Sequence, residues 1–277
     1  MCGLAPPPKL NLNEKTIIVT GASSGIGECL SKKMAQKGAD VVCAARREEE
    51  LDRVVKDIHS LGGTAMAVPT DITKLQECEY LVEKTIERFG KLDALVLNAG
   101  ISMWTPFEEL QDVSFFRQLM ETNYMGAVQC CHAALEHLKS SNGLIVSCST
   151  AQALMGFPNH SGYAASKHAL HGFLDTLDIE MKGKINFLEV IMGWIQDTGL
   201  RASAFGANGQ KLGDSKWKHT SQSVTLEDCV AGIIRGIEAN KKIIYIPGKL
   251  RLVPFLNVFF KAFLRWKVSK AVDDHTD

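Results

Sequence analysis

Short apolar runs alternate with longer amphipathic runs along most of the chain. The apolar runs are typical of strands that helices cover on both faces, and they predict strands over residues 16–20, 41–45, 65–69, 92–97, 143–148, 185–191 and 242–246. The amphipathic runs predict helices over 25–37, 48–61, 75–89, 113–138, 161–181 and 226–239. This alternation indicates an α/β fold, which we expect to be a Rossmann-like, doubly wound parallel sheet of about seven strands with helices on both faces.

The length and composition fit one such domain. The 277 residues contain 45% hydrophobic side chains, which is enough for a large core, and no linker rich in proline, glycine or serine interrupts them. We predict an N-terminal extension over 1–13 and the Rossmann-like domain over 14–248, with a substrate lid at 197–224. A basic, apolar C-terminal segment follows over 249–277.

Charge and cysteine usage argue against several classes of function. The formal net charge is +0, so no overall field attracts nucleic acid. The eight cysteines include no Cys-x-x-Cys pair, which argues against a zinc site and a disulfide scaffold. The first residues lack a charged start followed by an apolar stretch. We therefore expect no signal peptide and a cytoplasmic protein with reduced, mostly buried thiols.

A glycine-rich turn follows the first predicted strand, which ends at Thr20. The turn reads Gly21-Ala-Ser23-Ser24-Gly25-Ile26-Gly27. Glycines permit the backbone to approach a pyrophosphate closely, and the N–H groups at a helix N-terminus attract its charge. The spacing Gly-x-x-x-Gly-x-Gly differs from the common dinucleotide fingerprint, so a simple strand-to-helix turn is the alternative.

The run Ser161-Gly-Tyr163-Ala-Ala-Ser-Lys167 carries candidate chemistry. Its four-residue spacing places the Tyr163 phenol and the Lys167 ammonium on one helix face. A free phenol titrates near ~10, but a neighbouring cation favours the phenolate and brings its pKa towards neutral pH, as a general acid and base requires. Such a pair also occurs by chance on many helix surfaces.

The same predicted helix carries His168, His171 and Asp175 at three- and four-residue spacing. That spacing would present metal ligands on one side of a helix. No further cluster of ligands supports a metal site, so we expect no metal and assign these residues to surface or subunit contacts.

Taken together with Asn98-Ala99-Gly100 and Asn123, the glycine turn and the Tyr163 and Lys167 pair closely resemble the short-chain dehydrogenase/reductase family. The motifs follow the family's order over nearly the whole chain. The resemblance implies a nicotinamide-dependent oxidoreductase in which Tyr163 exchanges the hydroxyl proton. It also implies that Lys167 lowers the tyrosine pKa and holds the nicotinamide ribose, while Asn123 holds a water of a proton relay. Local packing inside a helix is the alternative for Asn123.

The resemblance also implies the contacts of the cofactor. Asp71 and Ile72 would lie at the adenine, and Asn98, Ala99 and Gly100 would line the central stretch. The remaining contacts before the catalytic helix would be Thr20, Gly21, Ser23, Ser24, Gly25, Ile26 and Gly27.

The end of the second strand bears on the choice of nucleotide. An NAD-selective site would place an acid there, next to the ribose hydroxyls, but the position is Ala45, followed by Arg46 and Arg47. A guanidinium suits a ribose 2′-phosphate, which favours NADP over NAD. An ordinary basic helix start, in which the arginines pair with the acidic residues 48–50, is the alternative.

The expected donor to the substrate oxygen departs from the family pattern. Family members place a serine thirteen residues before the tyrosine, where its hydroxyl stabilises the developing alkoxide, and here that position is Thr150. Threonine retains the hydroxyl on a side chain that is restricted at χ1. Ser149 is the neighbouring alternative, and the identity of the donor stays open.

The loop over 191–198 resembles the family's Pro-Gly segment beside the nicotinamide. We expect Gly193, Ile195 and Thr198 to contact the cofactor, although Met192 replaces the proline and Thr198 comes one residue late. The polar residues that follow, up to 224, predict a mobile lid over the substrate.

Residues 249–270 carry six cations, no acid and many aromatic side chains. Charge interrupts the segment too often for it to span a bilayer. One helix that starts at Pro254 would place Asn257, Lys261 and Arg265 on a narrow stripe beside a wide apolar face. Such a face suits either a peripheral membrane contact or packing against a second subunit or over the substrate mouth. Either role points to a lipophilic substrate.

These observations predict an NADP-dependent enzyme that interconverts a hydroxyl and a carbonyl on a small lipophilic molecule such as a steroid, retinoid or lipid. A 3-ketoacyl reductase of fatty-acid metabolism and a cofactor-binding, membrane-associated scaffold with weak activity are the alternatives. In the family, helices equivalent to 113–138 and 161–181 commonly form subunit contacts. We therefore expect a homodimer or homotetramer, cytoplasmic or peripheral on the cytosolic face of a membrane.

Overall fold

The computed structural model describes residues 10–213 and 223–273. Within them, seven strands form one sheet in the order β3-β2-β1-β4-β5-β6-β7, and all neighbouring strands are parallel. This confirms the predicted doubly wound sheet. The strands are β1 (Thr16–Thr20), β2 (Asp40–Ala45), β3 (Thr64–Pro69), β4 (Ala94–Leu97), β5 (Leu144–Thr150), β6 (Asn186–Met192) and β7 (Ile243–Ile246).

Helices cover both faces of the sheet. In the described residues they are α1 (Gly25–Gln36), α2 (Glu48–Ser60), α3 (Leu75–Phe89), α4 (Phe115–Met120), α5 (Gly126–Ser141), α6 (Ser161–Glu180), α7 (Leu226–Glu238), α8 (Val253–Phe259) and α9 (Lys261–Asp273). Because successive strand residues point to opposite faces, Ile17 and Val19 pack with α1, α2 and α7. Ile18 packs with α3, α5 and α6 on the other face.

The helix predicted over 113–138 is not continuous. α4 ends at Met120, a π-helical turn spans Glu121–Met125, and α5 then continues to Ser141. Asn123 lies in the π turn, and its side chain bonds to the main chain of Ile101. This contact comes from a distant part of the chain, so the local pattern of apolar positions does not reveal the break.

The C-terminal segment forms two helices, and the single helix predicted from Pro254 is wrong. Phe260 separates α8 from α9 with φ −134° and ψ 42°. Asn257 donates a 2.9 Å hydrogen bond to the Leu154 carbonyl, and three inner side chains are buried with the loop before α6: Val253, Leu264 and Val268. Each helix therefore has its own contacts with the body of the protein. No helix in the described part of the chain is long and apolar enough to cross a bilayer.

Parallel strands bring their carboxyl ends to one edge of the sheet, where ligands of doubly wound folds bind. The segments after β1, β2, β4, β5 and β6 all lie along this edge. Candidate residues that are far apart in sequence thereby come close together. Residues 1–9 of the expected N-terminal extension, 214–222 of the expected lid and 274–277 lie outside the described residues.

The described cysteines are free thiols, and six of the seven are buried. Burial raises the pKa of Cys43 to about 11 and of Cys131 and Cys148 to about 12. A thiol must lose its proton to act as a nucleophile, so these side chains serve packing.

Candidate active site

The glycine turn is packed too tightly for side chains. Gly21 and Gly25 have φ angles of 67° and 56°, in the left-handed region that favours glycine. A Cβ on Gly27 would overlap the Gly21 carbonyl oxygen and lie 2.5 Å from Nδ2 of Asn98. Ser24 is the N-cap residue of α1, and its side chain makes no capping hydrogen bond. The N–H groups at this helix start can therefore serve a pyrophosphate, so the turn fits a dinucleotide.

Thr20 links the glycine turn to the end of β4. Its hydroxyl donates to the Val96 carbonyl (3.0 Å) and accepts from the N–H groups of Asn98 (3.0 Å) and Ala99 (3.1 Å). The Asn98 side chain donates to the Thr20 carbonyl (3.0 Å). The structure thus brings Thr20 together with Asn98, Ala99 and Gly100. The side chains of Thr20 and Asn98 stabilise the turn through these hydrogen bonds. Ile26, also expected at the cofactor, packs against the core.

The second arginine after β2 reaches back to the same turn. Nη2 of Arg47 donates to the hydroxyls of Ser23 (2.8 Å) and Ser24 (3.0 Å). Among the ion pairs of the described residues, Glu50 pairs with Arg53 (3.0 Å), and neither Arg46 nor Arg47 pairs with residues 48–50. The pairing with residues 48–50 that the alternative expects is thus absent from these ion pairs, although Arg47 is the N-cap residue of α2.

Asp71 and Ile72 follow β3 at the same edge. The Asp71 carboxylate accepts hydrogen bonds from the Thr73 N–H (3.1 Å) and hydroxyl (2.8 Å). Burial opposes the charged form, but these bonds and the nearby Arg46 charge lower the pKa of Asp71 below its usual value. Ile72 directs its side chain into the core against Gly126. Only the main chain of Ile72 is therefore available to contact an adenine.

Tyr163 and Lys167 lie one turn apart in α6, and both are buried. Nζ of Lys167 lies 5.9 Å from the centroid of the Tyr163 ring and donates to the Cys148 carbonyl at 3.5 Å. Burial lowers the pKa of Lys167 to about 8. Burial also raises the pKa of the Tyr163 phenol well above its usual value. This direction is opposite to the expected lowering, because burial disfavours the charged phenolate.

Asn123 joins three segments close to Lys167. Its Oδ1 accepts from the Ile101 N–H (2.9 Å), and its Nδ2 donates to the Ile101 carbonyl (2.9 Å) and the Ser166 hydroxyl (2.9 Å). A Cβ on Gly100 would lie 3.2 Å from Oδ1 of Asn123 and 3.7 Å from Nζ of Lys167. The Asn123 side chain therefore makes contacts with distant parts of the chain. Because Gly100 has no side chain, none stands between Asn123 and Lys167 at this point.

β5 presents Ser149 and Thr150 on opposite faces. The Ser149 hydroxyl is buried and has no hydrogen-bond partner among the described residues. Thr150, at the end of the strand, is half-buried, and its Oγ1 accepts a 3.4 Å hydrogen bond from the Gln152 N–H. A hydroxyl that accepts still has a hydrogen to donate. The geometry therefore favours Thr150 over Ser149 as the donor to a substrate oxygen.

The loop after β6 passes over the glycine turn. A Cβ on Gly25 would lie 2.8 Å from the Thr198 carbonyl oxygen, which places Thr198 against the turn. The Gly193 N–H donates to the Ile246 carbonyl (2.8 Å), and Ile195 packs against the core. Of the three residues expected at the nicotinamide, Thr198 thus lies nearest to the glycine turn.

The described residues contain no group of three or more His, Cys, Asp and Glu side chains that could hold a metal ion. Nδ1 of His171 lies 2.9 Å from Glu189, and this bond raises the histidine pKa. Nδ1 of His168 lies 2.8 Å from the Ala164 carbonyl oxygen. Both histidines thus make contacts with groups of the protein itself.

A family model described as short chain dehydrogenase matches residues 15–208. The chain belongs to the short-chain dehydrogenase family. The family's oxidoreductase class and the Rossmann-like sheet therefore apply to it.

Curated relatives of this dehydrogenase match most of its length. The 11-beta-hydroxysteroid dehydrogenase A of Arachis hypogaea is 33% identical over 261 residues, which cover 92% of this chain and 75% of that protein. The 11-beta-hydroxysteroid dehydrogenase-like 4A of Arabidopsis thaliana is 35% identical over 251 residues, which cover 89% of this chain and 81% of that protein.

Solved structures of other family members share the fold. A 7 alpha-hydroxysteroid dehydrogenase complexed with NADH and 7-oxo glycochenodeoxycholic acid superposes with a TM-score of 0.73 at 25% identity, over 86% of this chain and 95% of that chain. A short chain dehydrogenase/reductase from Burkholderia phymatum in complex with NAD superposes with a TM-score of 0.76 at 22% identity, over 88% and 94%.

Aromatic side chains of this dehydrogenase form a closed belt at the same edge of the sheet. The ring centroids lie 4.9 Å apart for Trp104 and His160, 5.4 Å for His160 and Phe157, and 6.1 Å for Phe157 and Trp194. The Arg201 guanidinium closes the belt, 5.2 Å from the Trp104 ring and 5.5 Å from the Trp194 ring. These five residues are the aromatic belt.

The aromatic belt lies next to Tyr163, whose ring centroid is 5.9 Å from that of His160. Sequence reasoning missed it, because its members come from the segments after β4, β5 and β6 and share no spacing. The signal that would have found them is the placement of aromatic residues in loops at the carboxyl ends of strands, where substrate sites of this fold lie.

The described part of the expected lid, 197–213, is docked on the segment after β4. The Trp104 N–H donates to the Phe205 carbonyl (2.9 Å), and the Phe205 N–H donates to the Ser102 carbonyl (2.9 Å). The Phe205 ring stacks on Phe115 with centroids 5.0 Å apart. Main-chain bonds thus hold the segment that brings Arg201 to the aromatic belt.

Proposed function

We propose that this dehydrogenase uses NADP to interconvert a hydroxyl and a carbonyl on a lipophilic small molecule. The observation that carries the proposal is the position of Tyr163 and Lys167, buried together at the carboxyl edge of the sheet beside a turn that only glycines can form. A proton-exchanging pair next to a dinucleotide site is what hydride transfer to a carbonyl requires.

The proton chemistry is carried by side chains of this chain. Bound NADPH supplies the hydride. Tyr163 donates its phenol proton to the carbonyl oxygen during reduction. Thr150 donates a hydrogen bond to the same oxygen and stabilises its developing charge. Lys167, with a pKa of about 8, exchanges protons near neutral pH through a water that Asn123 positions.

Arg47 supports the choice of NADP. Its guanidinium lies on the hydroxyls of Ser23 and Ser24, between the end of β2 and the glycine turn, where the adenine ribose of a dinucleotide lies in this fold. Ala45 offers no carboxylate to a ribose hydroxyl, and the Asp71 carboxylate is occupied by Thr73. A planar cation in this position binds a 2′-phosphate.

The aromatic belt supports a lipophilic substrate. Aromatic walls beside the catalytic tyrosine favour a flat apolar body over a highly polar one. The curated relatives include 11-beta-hydroxysteroid dehydrogenases, which supports a steroid-like molecule as the class to test.

We propose further that α8 and α9 rest on the surface of an anionic membrane. Their outer side exposes five aromatic side chains: Phe255, Phe259, Phe260, Phe263 and Trp266. Four cations of α9 accompany these aromatic residues: Lys261, Arg265, Lys267 and Lys270. Exposed aromatic and basic side chains together suit the interface of an anionic bilayer. The inner side packs on the loop before α6, so a lipid surface would lie close to the substrate site.

Flotation with vesicles tests the membrane proposal. We expect binding to vesicles of phosphatidylcholine with phosphatidylserine, weaker binding to phosphatidylcholine alone, and loss of binding in Phe259→Ser combined with Trp266→Ser. Equal flotation of parent and variant would reject the proposal, and a change of oligomer size in the variant would instead assign this face to a subunit contact.

The outer face of α6 supports assembly with a second copy. Ile179 is 72% exposed there, and Ala165 on the same helical stripe is also exposed. These apolar side chains lie on the helix that the resemblance to the family places at a subunit contact. Light scattering on a sizing column tests this part of the proposal, with a dimer or tetramer as the expected mass and a monomer as the contradicting one.

A titration of tryptophan fluorescence with NADPH and NADH, followed by turnover over hydrophobic ketones, aldehydes and alcohols, tests the function. We expect NADPH to bind at least about tenfold more tightly than NADH, since one charge-assisted bond is worth about 1.5–3 kcal/mol. We also expect turnover of at least one member of the panel. Absence of binding by either nucleotide would reject the proposal.

A further inference from the structure

His160 occupies an unusual place in the aromatic belt. Its ring touches Trp104 and Phe157 within the belt and Tyr163 beside it, and it is 8% exposed. It is a polar side chain of the belt that lies next to the catalytic tyrosine.

The protonation of His160 follows from its hydrogen bond. Nδ1 lies 3.0 Å from the Pro158 carbonyl oxygen, and a carbonyl can only accept, so Nδ1 carries the hydrogen. Burial lowers the pKa of His160 to about 4, and the Arg201 charge lowers it further, against the raising effect of the Pro158 bond. The ring is therefore neutral at physiological pH, and Nε2 is a bare acceptor.

Nε2 is an acceptor in apolar surroundings. Among the described residues, the Pro158 contact is the one hydrogen bond of the His160 side chain. Nε2 is not among the fully buried side-chain atoms that lack a partner, so it remains accessible from outside the ring cluster. An accessible acceptor at this place can receive a hydrogen bond from a hydroxyl of a bound molecule.

We propose that His160 determines substrate specificity by accepting a hydrogen bond at Nε2 from a hydroxyl group that lies close to the reacting carbonyl of a flat, apolar ketone. This inference rests on the proposed function, because it takes Tyr163 as the group that meets the carbonyl oxygen.

The geometry limits where that hydroxyl sits. The ring centroids of His160 and Tyr163 are 5.9 Å apart, so a small molecule whose carbonyl meets Tyr163 can bring a hydroxyl on a nearby carbon to His160. Trp104 and Phe157 flank His160 and contact the apolar body. The substrate class is thus an α- or β-hydroxy ketone on a flat body, or the corresponding diol in the oxidation direction.

Two ketones that differ by one hydroxyl test the inference: 2-hydroxy-1-tetralone and 1-tetralone. Binding is followed by tryptophan fluorescence at saturating NADPH, and reduction is followed by NADPH absorbance. We expect the parent to favour the hydroxy ketone by about tenfold or more in Kd and in kcat/KM, the ratio that one buried hydrogen bond confers.

Two variants at position 160 separate the hydrogen bond from packing. His160→Phe retains an aromatic ring but lacks an acceptor, and we expect it to lose the tenfold preference through weaker binding of the hydroxy ketone alone. His160→Gln offers a side-chain oxygen, and we expect it to restore most of the preference. A merely structural role of His160 would lower the affinity for both ketones equally.

The outcomes are distinguishable from failure of the proposed function. A preference in the parent that persists in His160→Phe, or equal binding of the two ketones by the parent, overturns the inference. Failure of both ketones to bind the parent also overturns it, since the aromatic belt would then not take a flat ketone. Binding with the expected preference but without reduction would instead count against the proposed function.

Discussion

Nη2 of Arg47 lies 2.8 Å from the hydroxyl oxygen of Ser23, so that the end of β2 is hydrogen-bonded to the glycine turn after β1. This bond places a planar cation beside the turn before any nucleotide binds. It is the basis for expecting a preference for a 2′-phosphate, because a guanidinium fixed in position loses little conformational freedom on binding.

Replacement of Arg47 tests the nucleotide preference. We expect Arg47→Ala to weaken NADPH binding by about 10- to 100-fold, the value of a charge-assisted hydrogen bond, while NADH binding changes less than about threefold. Arg47→Lys retains the charge without the planar fork and should fall between the two. Equal loss of NADPH and NADH affinity would show that Arg47 only holds the turn.

Replacement of Lys167 tests the cost of its burial. The pKa of Lys167 in the folded protein is about 8, below the usual lysine value of ~10.4, so folding opposes protonation of Lys167. The resulting loss of folding stability is complete below pH 8 and declines as the pH rises from about 8 to 10. We expect Lys167→Met to be inactive but more stable than the parent at pH 7, by roughly 1–3 kcal/mol. Urea unfolding at pH 7 and pH 9.5 should show this difference narrowing, and a constant difference would contradict the assignment.

Matched variants distinguish whether Thr150 or Ser149 donates to the substrate oxygen. We expect Thr150→Val, which removes the hydroxyl at nearly constant volume, to lower kcat by about 100-fold or more, as loss of one donor to a developing oxyanion does. Thr150→Ser should remain active. Ser149→Ala should change kcat by less than about threefold, because its hydroxyl is buried and faces the opposite side of β5 from Thr150. The reverse ranking would assign the role to Ser149.

Gly27 tests the packing of the turn. A Cβ there meets the Gly21 carbonyl and the Asn98 amide, so we expect Gly27→Ala to destabilise the protein by about 1–3 kcal/mol and to weaken binding of both nucleotides. Gly156→Ala is the control, since a Cβ there meets open space, and its stability should stay within about 0.5 kcal/mol of the parent. Equal thermal stability of the two variants would contradict the tight packing.

The sheet could be predicted from the sequence because its strands are apolar on both faces. β1 and the first turn of α1 fall where the pattern places them, and parallel topology then brings the strand ends to one edge. The glycine turn, Asp71, Asn98 and Tyr163 could therefore be expected at that edge before any coordinates were known.

The remaining features depend on contacts between distant segments. The π turn around Asn123 comes with a bond to Ile101, and the break at Phe260 comes with packing on the loop before α6. The predicted lowering of the Tyr163 pKa was wrong for the same reason, since the pKa is raised. Local spacing shows that Lys167 is one turn away, but it does not show that α6 buries both groups, and burial is the larger effect.

The central claim is that Tyr163 exchanges the proton during NADPH-dependent reduction of a lipophilic carbonyl. The most direct test compares the parent with Tyr163→Phe in NADPH binding and in turnover of one ketone that the parent reduces. We predict that NADPH affinity stays within about threefold, while kcat falls by about 100- to 10,000-fold, the contribution of a general acid. A variant that reduces the ketone at the parent rate would contradict the account.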